Sequence, residues 1–114
     1  MKKKFSNKKI FIAGHRGMVG TSLTKFFKKN NFGKIITINR KDLNLENYKE
    51  VEKFVRNKKP DIIINCAGKV GGIMANLNYP TEFLYENIVI QLNLIKSAYK
   101  NKIKDFINLG SSCI

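Results

Sequence analysis

The chain is expected to fold as an α/β protein, a doubly wound parallel sheet, and three observations predict it. Short apolar runs of strand length recur along the sequence. The stretches between them space their apolar residues as helices do. A glycine-spaced turn, Gly14-His15-Arg16-Gly17-Met18-Val19-Gly20, follows the first run directly. Strand-helix alternation with right-handed crossovers gives a parallel sheet covered on both faces. About four strands are expected, in the order 3-2-1-4, so the sheet is incomplete and lacks a fifth strand beside the last. That edge would be long, apolar and unpaired, an aggregation hazard unless covered.

The elements follow in order. Ile10 to Ala13 is a buried strand entering the glycine turn. Met18 to Asn30 carries Val19, Leu23, Phe26 and Phe27 as the stripe of an amphipathic helix, and Asn30-Asn31 before Gly33 ends it. Ile35, Ile36 and Ile38 form a second strand that stops at Asn39-Arg40. Asn47 with Glu50 resembles a capping box, and Val51, Phe54 and Val55 face inward along the helix it opens; Pro60 closes it. Asp61 to Asn65, with three consecutive isoleucines, reads as a strand buried on both faces. A loop from Gly68 to Gly72 leads to Pro80, which suits the first turn of a long helix with Leu84, Ile88, Leu92, Ile95 and Tyr99 on one face. Asp105 to Leu109 is the last strand, running into Gly110-Ser111-Ser112-Cys113.

Bulk properties narrow the class. With 114 residues and 43% hydrophobic content there is room for one modest core, and no apolar run is long enough to span a bilayer. The lysine-rich start lacks a cleavage-type site, so a secretory signal is not expected. Cys66 and Cys113 make no disulfide framework and have no metal-ligand spacing with His15, the single histidine; no metal is expected, and the reducing cytoplasm is the expected compartment. The net charge of +14 admits a nucleic-acid surface, but the lysines are scattered without aromatic interleaving, which favours solvated faces. A positive field also suits anionic small ligands.

The unusual residues fall on one rim, at the carboxyl ends of the strands, where such sheets bind ligands. In the glycine turn, Gly14 permits the bend, Gly17 lets backbone approach a pyrophosphate, and Gly20 removes a side chain where helix meets sheet. This is the pattern of a Rossmann-type dinucleotide site. Arg40 stands where an acidic residue would grip the ribose 2′-hydroxyl of NAD, so its guanidinium favours the 2′-phosphate of NADP, with Arg16 closing from the other side. Ser111 follows the last strand, where a hydroxyl can hold a substrate carbonyl. Cys113 is a candidate base for a proton alpha to a ketone, and Cys66 reads as a small buried cysteine. His15 sits in the phosphate turn and is assigned to the loop.

The glycine turn, Lys69-Val70-Gly71-Gly72-Ile73 with Ala75-Asn76, and Gly110-Ser111-Ser112-Cys113-Ile114 together resemble the GDP-L-fucose synthase family of extended short-chain dehydrogenases. The likeness runs from Lys9 to Ile114; the glycine turn alone would indicate only the superfamily. It implies an oxidoreductase and isomerase of nucleotide-sugar metabolism that uses NADP on GDP-4-keto-6-deoxy-D-mannose. By position, Gly14, His15, Arg16, Gly17, Met18, Val19 and Gly20 would cradle the pyrophosphate, with Arg16 and Arg40 near the 2′-phosphate and Asp42 and Leu43 by the adenine. Ala67, Gly68, Lys69, Asn87, Leu109, Gly110 and Ser112 would complete the cofactor site. Ser111 would be the catalytic serine and Cys113 the base that epimerises carbons 3 and 5 before reduction at carbon 4. The segment Asn65-Cys66-Ala67-Gly68 departs from the family's alanine-rich pattern.

The resemblance also implies residues that these 114 do not contain. Tyr48, Tyr79, Tyr85 and Tyr99 have no lysine four positions on, so none forms a Tyr-x-x-x-Lys pair, and the later histidine that the resemblance implies as the acid of the epimerisation is missing too. Residues 1–8 are expected to be a basic extension and 9–114 the first part of an NADP-binding domain without its substrate half, inactive alone. The complete enzyme is expected to be a homodimer, not membrane-bound. A non-catalytic NADP-binding module needing a partner chain is the alternative, with a basic nucleic-acid binder ranked after it.

Overall fold

In the computed structural model, residues 7–68 and 80–109 are described. The strands are β1 (Lys9–Ala13), β2 (Lys34–Ile36), β3 (Ile62–Asn65) and β4 (Asp105–Asn108), and the helices α1 (Met18–Lys29), α2 (Tyr48–Lys58) and α3 (Pro80–Lys100). All three strand pairings are parallel, with Ile10 beside both Ile35 and Ile62, and Ile63 beside Phe106. The period-2 alternation of β1 and β3 divides the core. Phe11, Ala13 and Ile63 face α2 and α3, packing with Val51, Val55, Ile90, Leu94 and Ala98. Ile10, Ile12, Ile62 and Ile64 face the other way, against Leu23 and Phe27 of α1. This is the doubly wound α/β sheet that the sequence predicts.

The strand order corrects the expectation. It is β2-β1-β3-β4, not 3-2-1-4. The reason lies in β3 itself: Ile62, Ile63, Ile64 and Asn65 are all buried, and a strand apolar on both faces belongs inside the sheet. The short β2, with exposed Lys34, takes the edge instead. Right-handed crossovers then place α1 on one face and α2 and α3 on the other. The reversal of order, and with it the crevice at the strand ends, falls between β1 and β3. Among the described residues β4 is the other edge, with Ile107 exposed.

Local signals end the helices largely as expected. Asn47 caps α2, its side-chain oxygen accepting from the Glu50 N–H at 3.2 Å. Lys59 closes α2 in the left-handed region, φ 49°, just before Pro60. Phe54 reaches the core through the Phe11 ring, 4.9 Å between centroids. Two apolar stripes depart from expectation. On α1, Val19 and Phe26 are exposed, and the helix instead buries Gly20 and Thr24, with Leu23 and Phe27 half-buried. On α3, Leu84, Ile88, Leu92, Ile95 and Tyr99 all face outward, 43–86% exposed. The sheet receives Ile90, Leu94 and Ala98, while Asn93 donates to the Leu45 carbonyl at 2.9 Å. The narrower stripe with the small residues Ser97 and Ala98 lets α3 approach the sheet.

Candidate cofactor-binding site

Gly14 carries the chain out of β1 at φ 79°, a conformation that favours glycine. A Cβ there would lie 2.6 Å from the Ala67 backbone, so the glycine turn and the exit of β3 are in contact. The Gly17 N–H donates to the Gly14 carbonyl at 3.2 Å, and Thr21 Oγ1 to the His15 carbonyl at 3.0 Å. A Cβ on Gly20 would fall 2.0 Å from the Gly14 oxygen. Gly17 is different: its Cβ would meet nothing nearer than 3.6 Å. The glycines at 14 and 20 thus close the turn, and the one at 17 leaves its outer side open.

The start of α1 is prepared for an anion. Its N-cap, Gly17, offers no side-chain acceptor, and the first turn holds no acidic residue. The N–H groups of that turn and the positive end of the helix dipole therefore meet no carboxylate from the N-cap or the first turn itself. His15 and Arg16 flank the turn. Burial first, then the Arg16 and Lys28 charges, holds the His15 imidazole below its ordinary pKa, so it is neutral near neutral pH.

The other predicted residues are distributed around this turn. Arg40 is exposed in the turn after β2, beside exposed Asp42. Leu43 is buried in the core, which commits its side chain to packing. Ala67 and Gly68 are half-buried at the β3 exit, and a Cβ on Gly68 would lie 3.2 Å from Asn87 Oδ1. Asn87, on α3, is itself buried. Met18, Val19 and Leu109 are exposed. Lys69, Gly110, Ser111, Ser112 and Cys113 lie outside the described residues. Cys66, expected to be buried, is half-buried, and what burial it has pushes its thiol pKa up.

Asn65 and its partner Asn108 matter here, and sequence reasoning assigns a role to neither of them. Asn65, 1% exposed, ends the all-isoleucine β3. Its Oδ1 accepts from the Ala67 N–H at 2.9 Å and its Nδ2 donates to Asn108 Oδ1 at 2.7 Å. The signal was an asparagine where the pattern called for a fourth apolar residue. A cavity of about 450 Å³ lies at the opposite end of the strands, with Lys59, Lys102 and Lys104 on its wall. Lys59 and Lys102 stand where α2 and α3 end, and cations at helix C-termini complement the dipole there. Among the described residues no group of three or more His, Cys, Asp or Glu could hold a metal, and no helix is long and apolar enough to cross a membrane.

A parallel sheet with a glycine turn leading into a helix N-terminus, at the point where strand order reverses, defines the class of dinucleotide-binding α/β domains. The comparisons then place the chain within that class. It belongs to the NAD dependent epimerase/dehydratase family, whose profile matches residues 10–114. It is 42% identical over 106 residues to GDP-L-fucose synthase 1 of Arabidopsis thaliana, covering 93% of this chain and 33% of that protein. GDP-L-colitose synthase of Yersinia pseudotuberculosis is 41% identical, with 93% and 34% covered. The solved structure of MlghC, a GDP-mannoheptose C4 reductase from Campylobacter jejuni with NADP bound, superposes with a TM-score of 0.86 at 35% identity, covering 92% of this chain and 33% of that one. The chain spans about a third of the length of the curated relatives it matches.

Proposed function

We propose that the intact protein is an NADP-dependent epimerase-reductase converting GDP-4-keto-6-deoxy-D-mannose to GDP-L-fucose, and that residues 9–114 form the first part of its NADP-binding domain. The observation that carries the reading is the rim itself. The glycine turn and the β3 exit are in contact, the start of α1 carries no acidic residue, and Arg40 is exposed in the turn after β2. The residues fit NADP: the space at Gly17 is open, the helix start carries no acid, and Arg16 and Arg40 supply charge for a 2′-phosphate. When bound, NADPH supplies the hydride for carbon 4 of the sugar. Gly14, His15, Arg16, Gly17, Met18, Val19 and Gly20 hold the pyrophosphate. Arg40 and Asp42 border the adenosine half, joined by the Leu43 backbone, and Ala67, Gly68, Lys69 and Asn87 line the path to the sugar. Leu109, Gly110 and Ser112 complete it.

In this reading Ser111 hydrogen-bonds the carbon 4 carbonyl oxygen. The Cys113 thiolate takes the proton from carbon 3 or carbon 5, and the electron pair moves onto that oxygen as an enolate. An acid outside these residues returns a proton to the opposite face. Because no tyrosine among these 114 residues has a lysine four positions on, and losing a general acid typically costs about 10² to 10⁴ in rate, little turnover is expected from them by themselves. The compartment is the cytoplasm, and the outward α3 stripe of Leu84, Ile88, Leu92, Ile95 and Tyr99 is covered by a second copy of the chain.

The test is NADPH oxidation by the intact protein, with the fucose precursor and a GDP-4-keto-heptose offered separately. Turnover of the deoxy sugar supports the proposal. Preference for the heptose supports the second reading, favoured by the 35% identity to a GDP-mannoheptose C4 reductase. NADPH binding without turnover of either sugar indicates a non-catalytic module. DNA binding that weakens steeply with salt and ignores NADPH would favour the nucleic-acid reading.

A further inference from the structure

The observation is a buried amide that touches three parts of the rim. Asn65 ends β3 with its side chain almost fully enclosed, and both ends of its amide are used. Oδ1 accepts from the Ala67 N–H, the backbone group against which Gly14 is packed. Nδ2 donates to Asn108 Oδ1, and the Asn65 carbonyl accepts from the Leu109 N–H at 3.0 Å. Asn65 and Asn108 are direct partners in the parallel register of β3 and β4. One side chain therefore joins the floor of the glycine turn, the β3 exit and the last residue of β4.

An amide is an unusual choice for this position. The three preceding residues are isoleucines, and a fourth apolar side chain would fill the site without partners to satisfy. A buried amide is retained at little net gain in stability, but it fixes geometry, because each of its hydrogen bonds has a length and a direction. The bond to Ala67 curls the chain back two residues after the strand, in the manner of an Asx turn. The bond to Asn108 holds the ends of β3 and β4 level, three positions before Ser111 in the sequence.

We propose that Asn65 is a positioning residue for the reaction, setting the cofactor wall at Ala67 and, through Asn108, the strand end that leads to Ser111. The inference rests on the function proposed above. Its two hydrogen bonds separate its two effects. Losing the Ala67 bond frees the cofactor wall packed against Gly14. Losing the Asn108 side-chain bond leaves that wall and the Leu109 N–H to Asn65 carbonyl bond in place, and loosens chiefly the approach to Ser111.

The experiment uses the intact protein at a temperature below the unfolding range of every variant, measuring the Kd for NADPH and kcat with the keto-deoxy sugar nucleotide. N65A should raise the NADPH Kd and lower kcat, each by about tenfold, the effect expected of one lost hydrogen bond to a buried group. N108A should lower kcat by about tenfold while the NADPH Kd stays within about twofold. N108D keeps an acceptor for Asn65 Nδ2 at an exposed position and should restore kcat to within about threefold of wild type. A merely structural role would lower stability in N65A and N108A without splitting Kd from kcat. Equal Kd changes in the two, no change in either, or an N108D as impaired as N108A would each overturn the proposal. Wild-type protein that neither binds NADPH nor turns over the sugar would overturn the function beneath it, and the inference with it.

Discussion

Gly17 and Gly20 separate folding from cofactor binding, because the same substitution should act on different quantities at the two positions. At Gly20 an added Cβ falls 2.0 Å from the Gly14 carbonyl oxygen, at least 1 Å inside any real contact. That oxygen is held by the Gly17 N–H, and the Gly20 carbonyl by Thr24 Oγ1 at 2.7 Å, so neither side can yield freely. Overpacking of this kind costs about 1–3 kcal/mol, and in a domain of this size each kcal/mol lowers Tm by about 4–8 °C. At Gly17 the Cβ meets nothing closer than 3.6 Å, and φ −74°, ψ 174° is a conformation that alanine adopts without strain. G17A should therefore leave stability within about 0.5 kcal/mol of wild type. In the proposed site its methyl would project into the space where the pyrophosphate approaches the helix start. Pushing the phosphate outward weakens a charge-assisted hydrogen bond worth about 1.5–3 kcal/mol, a loss of roughly 10- to 100-fold in affinity. Thermal melts and NADP titrations of wild type, G17A and G20A read both effects. A G17A variant that melts like wild type and binds NADP as tightly would refute the placement of the phosphates.

Three further outcomes follow from the same geometry. R40A should weaken NADP by about tenfold while leaving NAD unchanged, since one charge-assisted contact to the 2′-phosphate is lost; calorimetric titration of both dinucleotides decides it. His15 is held below its unfolded value of 6.5, chiefly by burial and then by Arg16 and Lys28, so the unfolded chain binds more protons and the His15 contribution to stability is present above that value and fades as pH falls through the depressed folded pKa. A bound phosphate favours the imidazolium, so NADP affinity should rise relative to an H15A variant between about pH 7.5 and 5.5, and parallel profiles would exclude His15 from the phosphate site. L92E places a charge in the middle of the outward α3 stripe, where Leu92 is 58% exposed, and should convert a dimer to monomer in sedimentation without lowering the monomer's NADP affinity.

Most of the secondary structure was legible because its causes are local. The isoleucine runs, the Asn47 cap, Pro60 and Pro80 each act within a few residues, and the elements begin and end close to them. The glycine turn was legible for a similar reason: its spacing reflects contacts made within seven consecutive residues, and the Gly14–Gly20 approach bears that out. What lay hidden depends on neighbours distant in sequence. Nothing near Asn65 reveals that Asn108 will stand beside it, because the partner is fixed by strand register. Leu43 reads equally well as a rim residue or a core residue until α2 folds over it.

The two errors of packing share one cause. Periodicity tells which residues of an element lie on one side; it does not tell what that side meets. For α3 the stronger stripe was matched to the sheet, yet the sheet took the face with Ser97 and Ala98 because small residues permit close approach, while Asn93 bonds across to Leu45. For β3 the burial on both faces was read correctly and its consequence was not: a strand apolar all round has to sit between two others. Applied to α3, the same logic points outward. A helix with one apolar face against the sheet and another exposed from Leu84 to Tyr99 carries more hydrophobic surface than the other described residues cover. Its outer stripe is therefore the surface on which the proposed second copy would dock, and L92E, at the middle of that stripe, is the substitution that tests it.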